Sequence, residues 1–291
     1  MLIREVEEVK LKIYYLYPIM MDTGVKRVYL LDYGVLSGEM GWFIPDPSVI
    51  SERGTSKPAT WVDIPVTGAL VEHKDGLVLI DTGPHPEAQK VWPKSSWDVF
   101  PMTKFTDENR LENQLKLIGL KPGDIHFVVF THLHLDHTGQ AYLLKDAGTM
   151  FVMHEKELKH ALYMMWLGKT GAYVPVDIDN LRGANLNPVS TDYFELLPGV
   201  ELYLVGGHTP GSMLIKVTTD AGNTYVFTGD FLHLPRELEI ESKGWLLGNA
   251  EEFLKGIKML KLWLRRPNVK LVISHDPELW NKYPKAPKHL E

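Results

Sequence analysis

Three histidines and one aspartate stand within six residues of one another, directly after an apolar run, and no other segment constrains this chain as much. The run Ile125–Phe130 predicts a buried strand, and the chain continues as Thr131-His132-Leu133-His134-Leu135-Asp136-His137-Thr138-Gly139. Neutral imidazole and carboxylate oxygen are ligands of borderline divalent metals. His132 and His134 can point to one side of an extended turn, while Asp136 and His137 can reach a second ion. The segment therefore predicts a metal site at the end of a strand.

The amino-acid composition decides which ligands and partners such a site can have. The 291 residues include no Cys, which excludes thiolate metal ligands, disulfides and cysteine nucleophiles. The formal net charge is −6 and no dense Lys/Arg run is present, so nucleic acid is not expected as a partner. No apolar stretch reaches the roughly 18 residues that span a bilayer, and we expect no membrane association. The charged N-terminal segment has no secretory apolar region, which favours a cytoplasmic location.

Predicted strands and helices alternate along the chain without a linker, which predicts one domain over residues 1–291. Residues 34–60 are predicted to form a long loop and residues 84–105 an irregular segment. The residues from the end of the helix at Leu167 to about 190 are predicted to form a polar insertion. Helices are predicted from Thr106 or Asp107 to Gly119, from about His154 to Leu167, and from an Asn249 cap to Pro267. The other predicted strands are Leu11–Tyr17, Arg27–Asp32, Ile64–Glu72, Leu77–Ile80, Val200–Val205, Met213–Thr218, Thr224–Phe227 and Leu271–Ser274.

Three further polar residues follow the ends of predicted strands. His208 comes after Val200–Val205, Asp230 after Thr224–Phe227, and His275 after Leu271–Ser274. Layered α/β folds place their sites at the carboxyl ends of strands, so these residues are candidates for the same site. Taken singly, each is more often a structural residue than a ligand.

Taken together, these residues resemble the metallo-β-lactamase superfamily, in which an HxHxDH segment and a later His, Asp and His bind one or two metals in a four-layer αββα sandwich. The resemblance covers roughly residues 60–280 and includes Leu79-Ile80-Asp81-Thr82-Gly83, which is similar to an early Asp motif of the family. It implies that Asp81 orients the ligands. The implied ligands are His132, His134 and His208 for one ion, Asp136, His137 and His275 for the other, and Asp230 bridging both. Two divalent ions are expected, with zinc favoured, although iron, manganese and cobalt suit the same ligands.

Segments outside the ligands are similar to the N-acyl homoserine lactone lactonase branch of this family. They are Ile64-Pro65-Val66, Pro101-Met102-Thr103, Asp107-Glu108-Asn109-Arg110, Leu120-Lys121-Pro122-Gly123-Asp124 and Leu197-Pro198-Gly199-Val200. The resemblance implies a quorum-quenching lactonase that opens the lactone ring by attack of a metal-bridging hydroxide, with Asp136 carrying the proton to the departing alkoxide. The partner is then a small-molecule lactone, and the oligomeric state stays open, a homodimer included.

Two other functions share parts of this pattern. A thioester or other ester hydrolase of the glyoxalase II type would use the same ligand set. A non-catalytic binding domain of the same fold is disfavoured, because all seven ligand positions are filled and the loss of catalysis usually tolerates the loss of ligands.

One position departs from the lactonase pattern. The branch usually carries a Tyr three residues after the bridging Asp, where its phenol hydrogen-bonds the substrate, and this chain reads Asp230-Phe231-Leu232-His233. His233 could donate the same hydrogen bond as a catalytic residue, could indicate a different lactone or ester, or could simply occupy the loop.

An acyl chain needs an apolar groove near the metals, although aromatic residues and Met more often serve as core or loop anchors. The candidate substrate-binding residues are Met20 and Met21 in an early loop, Trp97, Phe100 and Phe105 in the irregular segment, and His85 close to Asp81.

Overall fold

The structure, a computed structural model, describes residues 22–47, 54 and 56–291. Its strands, in chain order, are β1 (Val25–Glu39), β2 (Trp61–His73), β3 (Gly76–Ile80), β4 (Met102–Lys104), β5 (Phe127–Val129), β6 (Met150–His154), β7 (Asn185–Val189), β8 (Tyr193–Leu197), β9 (Val200–Leu204), β10 (Met213–Thr218), β11 (Thr224–Phe227) and β12 (Val269–Val272). Its α-helices are α1 (Ala88–Val91), α2 (Lys94–Val99), α3 (Leu111–Lys116), α4 (Glu155–Trp166), α5 (Pro175–Asn180), α6 (Pro235–Ile240), α7 (Ala250–Trp263) and α8 (Pro277–Lys282). Not one of these helices is both long and apolar enough to cross a membrane.

The strands form two sheets. The first sheet has the order β4-β1-β2-β3-β5-β6-β7, and the second has the order β12-β11-β10-β9-β8. In the first, β1, β2 and β3 pair antiparallel, whereas β3, β5, β6 and β7 run parallel. In the second, β8 to β11 pair antiparallel and β12 is parallel to β11. Since β9, β11 and β12 consequently point in the same direction, their carboxyl ends lie at one edge of the second sheet.

Alternate side chains of the central strands contribute to separate cores, as expected for a period of two. On β5, Val128 packs into the core that the first sheet shares with the helices outside it, while Val129 packs between the two sheets. On the far side of the second sheet, Phe253 and Ile257 of α7 pack against Phe231. Helices therefore cover the outer faces of two facing sheets, which confirms the predicted α/β class and αββα sandwich.

The predicted loop over residues 34–60 is wrong in its first part, because β1 continues through these residues to Glu39. The β1–β2 register shifts between Asp32 and Val35, where two residues of β1 face one residue of β2. This bulge, with Gly34 at a φ of +99°, interrupts the alternation on which the sequence-based prediction depended. The predicted strand Leu11–Tyr17 lies outside the described residues.

The predicted helix from Thr106 to Gly119 is interrupted. Residues Asp107–Asn109 form a 3-10 turn, Arg110 is extended with a ψ of 140°, and α3 begins at Leu111. The side chain of Gln140 accepts the Leu111 N–H at 2.8 Å, so a distant residue takes the place of a helical carbonyl at the start of α3.

Several regular elements lie in segments that were predicted to be irregular or were not recognised. The segment 84–105 holds α1, α2 and the edge strand β4, and the polar insertion holds α5 and β7. Strands β6 and β8 were also missed. Strands β4, β7 and β8 lie at sheet edges, and an edge strand needs no continuous apolar pattern because only part of it is buried.

Gly139 allows the histidine-rich segment to lie against the loop that carries Asp81. Its N–H donates to the Gly83 carbonyl at 2.8 Å. A Cβ at residue 139 would lie 1.9 Å from the His85 backbone nitrogen and 2.4 Å from the Pro84 carbonyl carbon. These are backbone atoms and cannot move away as a side chain could, so only glycine fits.

We predict that Gly139→Ala lowers the free energy of unfolding by about 1–3 kcal/mol or more, because the new methyl group has no room. The matched control is Gly123→Ala, where a Cβ would meet nothing within 4 Å and the change should stay within about 0.5 kcal/mol. Urea denaturation of both variants measures the difference, and equal unfolding midpoints would contradict the argument.

Candidate metal centre

The structure brings all seven predicted ligands to one place. The segment that holds His132, His134, Asp136 and His137 follows β5, while His208, Asp230 and His275 follow β9, β11 and β12. The last three strands end at the same edge of the second sheet, and the two sheets face each other, so four separated segments converge between them. All of these side chains are buried except His134, which is partly exposed.

The ligand atoms form two groups that share one carboxylate. His132, His134, His208 and Asp230 each offer an atom within 4.8 Å of the others, and so do Asp136, His137 and His275. Asp230 Oδ2 lies 3.5 Å from Nε2 of both His132 and His208. Its other oxygen, Oδ1, lies 3.1 Å from His137 Nε2 and 3.0 Å from His275 Nε2. Asp230 is thus placed between two sets of nitrogen atoms.

Oxygen acceptors behind the rings determine which nitrogen of each histidine can bind a metal. His208 Nδ1 lies 3.0 Å from the Leu246 carbonyl, His275 Nδ1 lies 2.8 Å from the Pro65 carbonyl, and His137 Nδ1 lies 2.8 Å from Asp81 Oδ2. Carbonyl and carboxylate oxygens only accept, so Nδ1 carries the proton in all three rings. Nε2 is therefore the nitrogen of each ring that can bind a metal at the centre.

Asp81 holds the loop that follows β5. Its carboxylate accepts the Thr131 N–H and hydroxyl, each at 2.8 Å, as well as the proton of His137 Nδ1. The residue has a φ of +56°, a conformation that non-glycine residues seldom adopt. Because the Thr131 hydroxyl proton points to Asp81, its oxygen is free to accept from His132 Nδ1 at 3.2 Å.

The chemistry of the centre suits divalent cations. The buried Nε2 atoms of His132 and His137 have no hydrogen-bond partner in the described part of the chain. Burial, and then the neighbouring imidazoles, lower the pKa of His134 and His208 well below the usual histidine value, which keeps both rings neutral. Burial would raise the pKa of Asp230, but the surrounding histidines hold it well below its usual value. The neutral imidazoles of His134 and His208 beside the ionised Asp230 carboxylate are fitting ligands for such ions.

Glu157 is a site residue that sequence reasoning missed. This fully buried carboxylate accepts the Leu133 N–H at 3.0 Å and the Tyr173 hydroxyl at 3.0 Å. Its second oxygen accepts the Thr209 hydroxyl at 2.6 Å and the Gly211 N–H at 3.1 Å. It therefore ties the His132–His137 segment to the loop of His208. The only sequence signal is a glutamate on the inner face of α4, where an apolar residue would be expected.

A cavity opens over the centre, and it contains part of the predicted substrate-binding set. Its walls are formed by Leu36, Phe43, Ile64, Phe100, His134, Leu135, Asp136, Ala172, His208, Asp230, His233, Leu246 and His275. Phe100 and His233 are among these lining residues. Phe43 and Leu246 were missed, since both follow segments without a regular apolar pattern. Met20 and Met21 lie outside the described residues.

Trp97, Phe105 and His85 do not line this cavity, which corrects the sequence-based expectation. Trp97 lies on α2 with its ring 5.9 Å from that of Trp92, so it serves the core outside the first sheet. Phe105 follows the edge strand β4. The ring of His85 lies 5.7 Å from that of Tyr142, and its Nδ1 accepts the Glu87 N–H. Aromatic residues near the site in sequence therefore contribute to packing instead.

The metallo-beta-lactamase superfamily model matches residues 62–275 of the chain. The chain is 27% identical to the N-acyl homoserine lactonase AttM of Azorhizobium caulinodans over 237 residues, which are 79% of this chain and 88% of that protein. This relative is therefore covered over most of its own length.

Two solved structures share the fold. One is an N-acyl homoserine lactone hydrolase with the product N-hexanoyl-L-homoserine at its catalytic metal centre. It has a TM-score of 0.76, 23% identity, and coverage of 91% of this chain and 99% of that chain. The other is AidC, a dizinc quorum-quenching lactonase, with a TM-score of 0.64, 17% identity, and coverage of 91% and 96%. At these identities the likeness establishes the sandwich fold.

We predict that His134→Ala lowers the bound metal to one ion per chain or fewer, because it removes a ligand from a group in which the other ligands cannot close the gap. Metal analysis of purified protein after gel filtration measures the content. The control is His126→Ala, since His126 is exposed and lies outside both ligand groups. Unchanged metal content in the His134 variant would remove this residue from the ligand set.

Proposed function

The chain belongs to the metallo-beta-lactamase superfamily, and on this basis we propose that it is a metal-dependent hydrolase that opens the lactone ring of N-acyl homoserine lactones. The observation that carries the proposal is the Asp230 carboxylate, which faces a group of nitrogen ligands with each oxygen and borders a largely apolar cavity. The lactonase names of relatives that are covered over most of their length support this substrate class. Such hydrolysis degrades a quorum-sensing signal.

We assign the metal ligands as two sets joined by Asp230: His132, His134 and His208 for one ion, and Asp136, His137 and His275 for the other. The ions are proposed to be zinc, although nitrogen and carboxylate ligands also accept iron, manganese and cobalt. When bound, two divalent cations lower the pKa of a shared water and polarise an ester carbonyl. The orphaned Nε2 atoms of His132 and His137 support this assignment.

Ring opening transfers one proton, and we assign this transfer to Asp136. Water adds to the carbonyl carbon, the ester C–O bond breaks, and the ring oxygen leaves as the hydroxyl of an acyl homoserine. Asp136 lies in the cavity wall, and its contacts with His137 and His275, at 3.6 Å and 3.4 Å, both involve Oδ2. Its Oδ1 is not part of those contacts, so this oxygen is assigned the transfer of the proton to the departing oxygen.

The apolar part of the cavity wall suits an acyl chain. Leu36, Phe43, Ile64, Phe100 and Leu246 lie on the same cavity as the ligand atoms. Phe100 rests on two other aromatic rings, with its centroid 5.4 Å from that of Trp42 and 6.1 Å from that of Phe43. A polar reacting group at the ligands and an apolar tail against these side chains match an amphipathic lactone.

We predict that the zinc-reconstituted protein hydrolyses N-hexanoyl homoserine lactone with a kcat/KM about 100-fold or more above that for S-lactoylglutathione. The reason is that the apolar cavity wall suits the acyl chain of the lactone. Acid release in a pH-stat measures lactone opening, and absorbance follows the thioester. The His134→Ala protein is the inactive control. The reverse preference would favour the thioesterase alternative. If neither compound is hydrolysed, the protein is neither a lactonase nor a thioesterase of these two substrate classes.

Phe100→Ala is expected to raise KM for N-decanoyl homoserine lactone about tenfold and to change KM for the N-butanoyl compound much less, because only the longer chain loses apolar contact. The matched control is Phe105→Ala, a phenylalanine outside the cavity. Metal content and kcat should stay near the wild-type values. If KM changes equally for both chain lengths, Phe100 does not contact the acyl chain.

A further inference from the structure

A buried lysine stands behind His233, the residue three positions after Asp230. The Lys243 side chain is fully enclosed, and its Nζ lies 2.8 Å from His233 Nδ1, 2.7 Å from Glu237 Oε1 and 2.9 Å from the Asp230 carbonyl. The Phe231 carbonyl is 3.2 Å away. An ammonium group has three protons to donate and no lone pair to accept with. An atom that forms a hydrogen bond with Nζ, as His233 Nδ1 does at 2.8 Å, therefore acts as the acceptor.

Glu237 keeps this lysine charged. While Oε1 accepts from Lys243, Oε2 accepts the backbone N–H groups of Leu234, at 2.8 Å, and His233. A carboxylate that receives donors on both oxygens is the ionised form, and a buried carboxylate requires a nearby cation. Lys243 is the cation in direct contact with it.

The charge on Lys243 determines the proton position on His233. Nδ1 lies 2.8 Å from the Lys243 Nζ donor and 3.5 Å from Glu237 Oε1, so the shorter contact makes it an acceptor, and the ring proton of the neutral imidazole is then on Nε2. At His137, His208 and His275 an oxygen acceptor lies behind Nδ1 instead, so the proton is on Nδ1 and Nε2 is the nitrogen left to bind a metal. This difference matters because distance alone would allow His233 to join Asp230 and His275 as a third ligand group.

We propose that Lys243, held by Glu237, fixes His233 as the Nε2–H tautomer, so that His233 donates a hydrogen bond into the cavity and does not bind metal. Lys243 and Glu237 are thus positioning residues. The recipient would be a carbonyl oxygen of the substrate, and this part of the inference rests on the proposed lactonase function. The tautomer itself does not.

The Nε2–H of His233 is available for such a contact. It lies 3.1 Å from Asp230 Oδ2, but the geometry is not that of a hydrogen bond, and within the described residues this atom has no partner. The ring is held on several sides, with its centroid 5.3 Å from Phe43, 5.4 Å from His208 and 5.4 Å from His275, to which it is nearly parallel. Packing and the lysine therefore fix both the ring plane and the proton.

The deciding experiment is NMR of the zinc-loaded protein with ¹⁵N-labelled histidine, in which the His233 signals are assigned by their loss in His233→Gln. We expect the wild-type protein to show a protonated Nε2 and an unprotonated Nδ1. A protonated Nδ1, or an Nε2 shift typical of zinc coordination, would overturn the proposal. This measurement needs no substrate, so its outcome is independent of whether the lactonase assignment holds.

Variants then test the part played by Lys243. In Lys243→Met the ¹⁵N signals of His233 should no longer show a protonated Nε2 and an unprotonated Nδ1. The double variant Lys243→Met with Glu237→Gln tests the same loss without leaving an unpaired buried carboxylate. The matched control is Lys261→Met, which removes an exposed lysine paired with Glu241 and should leave the pattern intact. Retention of the wild-type tautomer in a folded Lys243 variant would overturn the role of the lysine.

Cobalt substitution separates a donor from a ligand. The cobalt-loaded His233→Gln protein is expected to keep the wild-type metal content and visible absorption spectrum, because no ligand is lost. A lower cobalt content or a changed spectrum would identify His233 as a ligand. In kinetics, His233→Ala is expected to lower kcat/KM for the lactone about tenfold or more, as for one lost hydrogen bond. His233→Gln should restore part of that loss, since its amide can donate.

Discussion

The Asp230 carboxylate is buried among imidazole rings, and the arrangement of the centre follows from the need to balance its charge. Oδ2 faces His132, His208 and His233, and Oδ1 faces His137 and His275. A buried carboxylate is costly unless cations or hydrogen-bond donors surround it. The group behind each ring differs: backbone carbonyls lie behind Nδ1 of His208 and His275, and the Lys243 ammonium lies behind Nδ1 of His233.

The fold provides the positions from which these side chains can converge. Strands β9, β11 and β12 end at one edge of the second sheet, and β5 of the facing sheet leads into the histidine-rich loop. Two buried carboxylates then fix the loops: Asp81 through Thr131 and His137, and Glu157 through Leu133, Thr209 and Gly211. Hydrogen bonds to ionised groups in a low dielectric are strong, so these two carboxylates hold the ligand-bearing loops in place.

Sequence reasoning recognised the site better than the segments around it. The spacing of His132, His134, Asp136 and His137 after an apolar strand is a local pattern, and the structure places the first two and the last two of these residues in separate groups of ligand atoms that lie within 4.8 Å of one another. The continuation of β1 to Glu39 was not predictable in the same way, because a bulge breaks its alternation. The first residue of α3 could not be predicted from the local sequence either, because the group that accepts the Leu111 N–H is the side chain of the distant Gln140. Trp97 and Phe105 were misplaced because nearness in sequence does not decide which side of an element faces a cavity.

The sequence alone determined the ligand types through residue identity and spacing, and the resemblance of its motifs to a known family implied the αββα sandwich. Only the tertiary structure decided what each nitrogen does. In the sequence His233 cannot be distinguished from the other histidines of the site. In the structure Lys243 lies against its Nδ1, and Glu237 pairs with that lysine. A proton's position on an imidazole depends on the atom 3 Å away, and which atom that is depends on how distant loops pack, for which a sequence pattern contains no signal.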